Sequence, residues 1–307
     1  MALGTNHQTI TTGAAFIPEI WSDEVVATYK KNLVLANLIK KISFKGKKGD
    51  TLNIPKPARG SASAKAASTQ VTLVTDTATN IAVTIDQHFE YSILIEDIVE
   101  AQALASMRQF YTDDAGYALA RQVDNSLIQL GRGVQGGGGT SAYSGAFSGA
   151  DGTTAYVAGS NTGLSALTDA AIRRSIQRLD DNDVPMDGRF LVVPPSTRNT
   201  LMGISRFTEQ AFVGDVGNNN TIRNGEIGNV YGIPVFVTNQ ADTTSGSTAC
   251  KICLLGHRDF AVLVEQLGIR SQTQYKQEYL GNLFTADTLY GVKELRDGSA
   301  VALAVPA

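Results

Sequence analysis

The chain has 307 residues, 43% of them hydrophobic and 18% charged, with a formal net charge of −3. That composition excludes disorder and collagen-like structure, and the length allows a substantial core in one to three domains. No apolar run approaches the roughly 18 residues of a membrane-spanning helix, no basic stretch leading into an apolar one marks a secretory signal, and two cysteines, Cys250 and Cys253, fit a reducing cytosolic origin.

The charge is unevenly placed. Residues 1–70 hold ten Lys/Arg against four Asp/Glu, whereas residues 71–307 hold sixteen against twenty-five. A basic N-terminal part facing an acidic remainder suits contact with an acidic surface or a polyanion, or else a solvated lysine-rich edge.

Residues 1–17 are small, polar and aperiodic, and read as an arm ordered by a partner. Pro18 opens a helix with Ser22 as a candidate cap, an apolar face from Trp21 to Leu38, and Lys40–Lys41 at its C-terminal end. Ile42, Phe44, Leu52 and Ile54 share a parity, as one half-buried strand requires. The return strand alternates from Ile81 through Val83, Ile85, Phe89, Tyr91 and Ile93 to Ile95. Two arms of about 17 residues would reach roughly 50–55 Å, well beyond the ~19 Å radius of gyration of a compact chain this long. Between them "ARGSASAKAAS", Ala58 to Ser68, contains nothing large enough to anchor in a core.

The spacing then predicts a long helix over Ile95–Leu130, with Ile98, Leu104, Met107, Tyr111, Leu119, Val123 and Leu127 on its apolar stripe and Gly116 as a point of bending. "GRGVQGGGGTSAYSGAFSGADG" reads as a flexible surface insertion, since it lacks the Lys-Ser/Thr ending of a phosphate loop. From Ser165 short elements alternate: a helix capped by Thr168, the strand "RFLVVP", a short helix begun by Pro195, and the strand "GIPVFVT". Five strands are expected from Cys250 to the end. The organisation is α+β.

Candidate chemistry is thin. Cys250 and Cys253, three apart on a strand, point to opposite faces and cannot chelate one ion together. "LDDNDVPMDG" fails as a calcium loop, with Pro185 and Val192 where ligands are needed, and reads as a helix-to-strand turn. His7, His88 and His257 fall in no spacing of a triad or metal site. No enzyme, cofactor or metal is expected. The lysines Lys40, Lys41, Lys45, Lys47 and Lys48 lack interleaved aromatics for base stacking, which leaves loose attraction to a polyanion or contact with an acidic neighbour.

The order of elements, together with "FIPEIWSDEVVATYKKNLVLANLI", "GDTLNIPK", "IEDIVEAQ", "NGEIGNVYGIPVFVTN" and "YLGNLFTADTLYGVKELRDGSAVAL", resembles the major capsid proteins of tailed bacteriophages, the Hong Kong 97 type of shell subunit. The resemblance spans nearly the whole chain and rests on the ordered set of phrases. It implies an N-terminal arm and helix over 1–41, an extended hairpin loop over 42–86, and a peripheral domain over 87–164 holding a spine helix and the Gly/Ser-rich insertion. An axial domain would follow over 165–255, with return strands to the peripheral domain over 256–307. By the same resemblance the hairpin tip, with Arg59, Gly60 and Lys65, lies on a neighbouring subunit, and the basic segment Lys40–Lys48 meets a neighbour or DNA. The implied function is self-assembly into hexamers and pentamers of an icosahedral shell around double-stranded DNA, in a virion assembled in the host cytoplasm.

Seventeen residues precede Pro18, too few for the cleaved scaffolding extension of some members, so a separate scaffolding protein is expected, with a portal and a decoration protein as further partners and no membrane. Some members join Lys to Asn covalently; Lys65 is the lysine near the tip, but the sequence places no Asn and Glu beside it. Two other functions compete: an encapsulin-like nanocompartment shell, and a secreted β-rich surface protein or adhesin, against which the lack of a secretory signal and the long helix both count.

Overall fold

The computed structural model describes residues 34–46, 49–56, 60, 62–71, 73, 79–98, 107–136, 143–157, 164–204, 207, 228–243 and 250–307. The expected arm, most of the first helix, Arg59, Lys47 and Lys48 lie outside the described residues. Two sheets and a two-stranded ribbon organise the rest.

The first sheet has four strands in the order β1 (Lys40–Ser43), β10 (Ala261–Lys276), β11 (Gly281–Glu294) and β4 (Gln87–Glu96). β1 runs parallel to β10, and the other pairs are antiparallel. One face carries helix α2 (Met107–Gln129), whose Ala115 and Leu119 pack on Phe284 and Ala286 with Phe89, Tyr91 and Ile93 of β4 beside them. The alternation read in β4 is therefore real, and its odd side is the helix-facing side. A short helix α1 (Leu35–Leu38) docks on α2 through Asp124, which is fully buried and accepts the Ala36 N–H at 3.0 Å.

The second sheet has six strands in the order β5 (Phe147–Ser148), β12 (Ala300–Pro306), β9 (Cys250–His257), β6 (Arg189–Val193), β8 (Ile233–Val237) and β7 (Asn229–Val230). Helix α3 (Asp169–Asp181) covers one face with Ile172 and Leu179, capped by Thr168, whose hydroxyl accepts the Ala171 N–H at 3.3 Å. Helix α4 (Pro195–Met202) begins at Pro195 as expected. Cys250 and Cys253 sit in different clusters on opposite sides of β9, the geometry their spacing dictates. "LDDNDVPMDG" is the expected helix-to-strand turn, with Asp180 paired to Arg189 at 2.6 Å.

Several expectations are corrected. Ile42 and Phe44 belong to another strand and turn than Leu52 and Ile54: β1 joins the four-stranded sheet, and β2 (Thr51–Lys56) pairs with β3 (Thr79–Thr84). All four residues nevertheless meet in one apolar cluster with Val83, Ile85, Val262 and Val264, so their shared parity reports burial and not strand continuity. Among the described residues the ribbon arms pair over six residues each, about 20 Å, and not seventeen. The long alternating run breaks at Ile85–Asp86, because β4 finds β11 as its partner. For the same reason Ile95 and Glu96 end β4 and do not open the helix, and Ile98 is exposed.

The Gly-rich stretch is no mere surface insertion. Tyr143, Ala146 and Tyr156 are buried in the main core, and β5 joins the six-stranded sheet. Finally, four strands and not five close the chain: β10 absorbs two expected strands across bulges between Glu265 and Arg270. The last, β12, enters the six-stranded sheet between β5 and β9, and so does not rejoin the sheet of β10 and β11.

Candidate assembly surface

The ribbon is anchored at one end. Val83 and Ile85 at its base are buried with Phe44 against Val262 and Val264, on the sheet face opposite α2. Ile85 N–H donates to Asp50 O at 2.7 Å, and Phe44 N–H to Glu265 O at 2.8 Å. The seat is set by Gly291 of β11: a Cβ there would collide with the Thr84 carbonyl and press on Ile85. A residue with no side chain lets the ribbon backbone lie directly on the sheet.

Among the described residues its other end has no such anchor. Gly60, residues 62–71 and Leu73 are all exposed, Lys65 included. Val71 is 66% and Leu73 90% exposed. The loop is also basic, with Lys56, Arg59 and Lys65 and no acidic residue between Asp50 and Asp76.

A second exposed apolar group lies where β10 turns into β11. Tyr275, Tyr279, Leu280 and Ile98 are all solvent-facing. Tyr275 hydroxyl donates to Asp97 at 2.8 Å and Asp97 N–H to Leu280 O at 2.9 Å, fixing the start of the helical segment against the turn. Glu96, Asp97 and Glu278 make this end acidic, with Lys276 as the opposing charge.

The sheet face beyond the ribbon base is polar. Arg270 clasps Asp287 through two hydrogen bonds, at 2.7 and 2.9 Å, and His88 reaches the same carboxylate at 3.2 Å. Arg270 first, and His88 after it, hold the Asp287 carboxyl below the usual aspartate range. The basic segment lies on the edge of the same sheet. Lys40 and Lys41 are exposed on β1, and Lys45 follows at the turn, its ammonium near Gly268 of β10. Charged residues on an edge strand discourage unwanted pairing with another strand.

Among the candidate residues, then, Gly60 and Lys65 share the loop and Lys40, Lys41 and Lys45 share the β1 edge, and the described geometry does not bring the two groups together. The acidic hairpin end was missed. Its signal was present in "YKQEYLG", whose two tyrosines and leucine fall at the end of β10 and in the turn that follows. Also missed was a polar knot behind α2, where Arg132 binds Asp242 at 2.7 and 3.1 Å and Tyr143 donates to the same carboxylate at 2.8 Å. Burial, followed by the Asp242 charge, pushes the Tyr143 phenol upward. Among the described residues no group of three His, Cys, Asp or Glu side chains could hold a metal, and no helix is long and apolar enough to cross a membrane.

Residues 79–269, more than half of the chain, match the family model described as phage capsid protein. Among solved structures the chain is similar to one from Mycobacterium phage Che8, with TM-score 0.73 and 23% identity over 94% of this chain and 97% of that one. It is similar to the capsid of cyanophage P-SCSP1u, with TM-score 0.71 and 17% identity over 99% and 96% of the two chains. The capsid of Ralstonia phage GP4 aligns at TM-score 0.66 and 15% identity, over 98% of each chain. At these identities the likeness is one of fold. No curated protein sequence matches the chain. Neither the nanocompartment nor the adhesin reading is favoured by these matches.

Proposed function

The chain belongs to the phage capsid protein family and is a major capsid protein of the virion shell, and we propose that its ribbon loop is what joins one subunit to the next. The fold is the α+β Hong Kong 97 capsid type. One observation carries the proposal: the ribbon is seated on its own subunit at Gly291, while Val71 and Leu73 at the far end project into solvent. Exposed apolar area on a projecting element is stabilised by burial against another molecule, at about 25 cal/mol per Å². In a repeating shell that molecule is a second copy, and such head-to-tail contacts close into rings.

The receiving surface is the acidic end of the β10–β11 hairpin. It offers Tyr279, Leu280 and Ile98 for apolar contact, and Glu96, Asp97 and Glu278 opposite the loop's Lys56, Arg59 and Lys65. On this reading the ribbon and its loop, residues 51–84, form the inter-subunit element, 87–164 the peripheral domain and 165–255 the axial domain, with 256–307 contributing to both. The subunits form hexamers and pentamers of an icosahedral shell around double-stranded DNA, assembled in the host cytoplasm with a separate scaffolding protein, a portal and a decoration protein. The role is structural and not enzymatic. Lys40, Lys41, Lys45, Lys47 and Lys48 serve neighbour contact ahead of DNA contact, because in the chain they lie in and just after the edge strand β1 and do not form a basic tail.

Deletion of residues 60–71 tests the proposal. The variant subunit keeps its melting temperature, and negative-stain images show no closed shells. Normal shells from the deleted chain, or an unfolded subunit, would contradict it.

A further inference from the structure

The two sheets are joined at one crowded corner. β9 passes into β10 through Arg258–Phe260, and β11 passes into β12 through Leu295–Ser299. The two links are tied together, since the N–H groups of Leu295 and Arg296 both donate to Phe260 O, at 2.7 and 3.3 Å. The turn that follows α2 docks on the same place. The Asp297 carboxylate accepts the Gly136 N–H at 2.9 and 2.8 Å, and the Gln135 side-chain amide donates to Ala300 O at 2.9 Å. From the other sheet's side, the Asn182 amide donates to Gly298 O at 3.0 Å. These bonds tie both links and the turn after α2 at the junction of the two sheets.

Glu294, the last residue of β11, points into this corner. Its Oε2 occupies the space a Cβ on Gly133 would need, so the turn after α2 closes over the carboxyl because that residue is a glycine. Its Oε1 is buried and has no hydrogen-bond partner among the described residues. A buried carboxylate oxygen without a donor is costly, and protonation removes the charge. The charged groups bearing on it are Asp297, from the turn after β11, and Lys293, its own neighbour. Arg132, on the facing turn, is committed to Asp242, and the facing residue of β10 is Ala261.

We propose that Glu294 is a proton-operated catch on the junction between the two sheets: protonated, it lets the corner close, and ionised, it repels Asp297 and loosens the Phe260, Gly136 and Ala300 bonds. Burial first, and Asp297 second, raise its carboxyl to about 7, against the opposing pull of Lys293. Because the folded value lies above the unfolded one, the stabilising state is fully present below the ordinary glutamate range and is lost as pH rises through about 7. The inference concerns a single subunit and stands apart from the assembly reading.

The test is amide exchange on the full-length chain before assembly, wild type against Glu294→Gln at each pH, so that the intrinsic base dependence cancels. Near pH 5.5 the two proteins exchange alike at 295–299 and 134–136. At pH 8.5 the wild type exchanges at least tenfold faster there, while Arg189–Val193 is the same in both. Parallel exchange at every pH overturns the proposal. Should Glu294→Gln fail to fold, carbon-13 titration of wild-type glutamate carboxyls decides: one of them titrates near pH 7, and the absence of any such group overturns it.

Discussion

The six-stranded sheet and the ribbon loop treat apolar side chains in opposite ways. In the sheet, β6 is buried at all five positions and β12 from Ala300 to Val305, with α3 packed on one side and the core behind α2 on the other. In the loop, Val71 and Leu73 are displayed on a segment that makes no core. The sheet completes its burial within one chain. On the proposed reading the loop completes it against another, so mutations in the two places should separate folding from assembly.

The largest effect is expected in the sheet. Leu303→Ala removes a fully buried side chain from β12 and should cost about 2–5 kcal/mol, read as a lowered denaturant midpoint of the subunit, with assembly lost as a consequence. Gly291→Val sits between the two regions. It puts side chain where Thr84 and Ile85 lie, so the subunit should lose about 1–3 kcal/mol while shell yield by light scattering falls to background. Wild-type shells from this variant would mean that the ribbon's seat does not set its reach.

Val71→Ser with Leu73→Ser comes next. Subunit stability should stay within about 0.5 kcal/mol, and shells should dissociate at lower denaturant. The smallest effect belongs to the open sheet face. Asp287→Asn removes a carboxylate held low by Arg270 and His88. That stabilisation exists above the ordinary aspartate value of about 3.9 and is lost as pH falls below it. Thermal unfolding of the two proteins should therefore converge in acid and differ slightly at neutral pH, since Arg270 is half exposed and solvent screens the pair.

The same contrast explains what the sequence made legible. Strongly periodic, locally specified elements were readable: β4 from its alternation, α3 from Thr168 and its stripe, α4 from Pro195. The lack of large side chains from Ala58 to Ser68 marked the loop. What pairing decides was not readable. β1 and β2 share one parity yet join different sheets, and Ile95 reads as the first residue of a helix until β11 supplies its partner. Tyr143 and Tyr156 reach the core from a glycine-rich stretch that carries no strand or helix periodicity, so nothing local marks them as buried. The proposed receiving surface needs the end of β10 and Asp97 brought together from 178 residues apart, which no local pattern reports.

The most direct test of the ribbon's role is amide exchange over residues 60–73, compared between unassembled subunit and closed shell. Exchange in the subunit should be close to that of an unstructured peptide, and in the shell slowed at least tenfold, while Arg189–Val193 and Ala300–Val305 stay protected in both. A loop already protected in the lone subunit, or one that exchanges equally fast in the shell, would contradict the claim that it completes its packing on a neighbour.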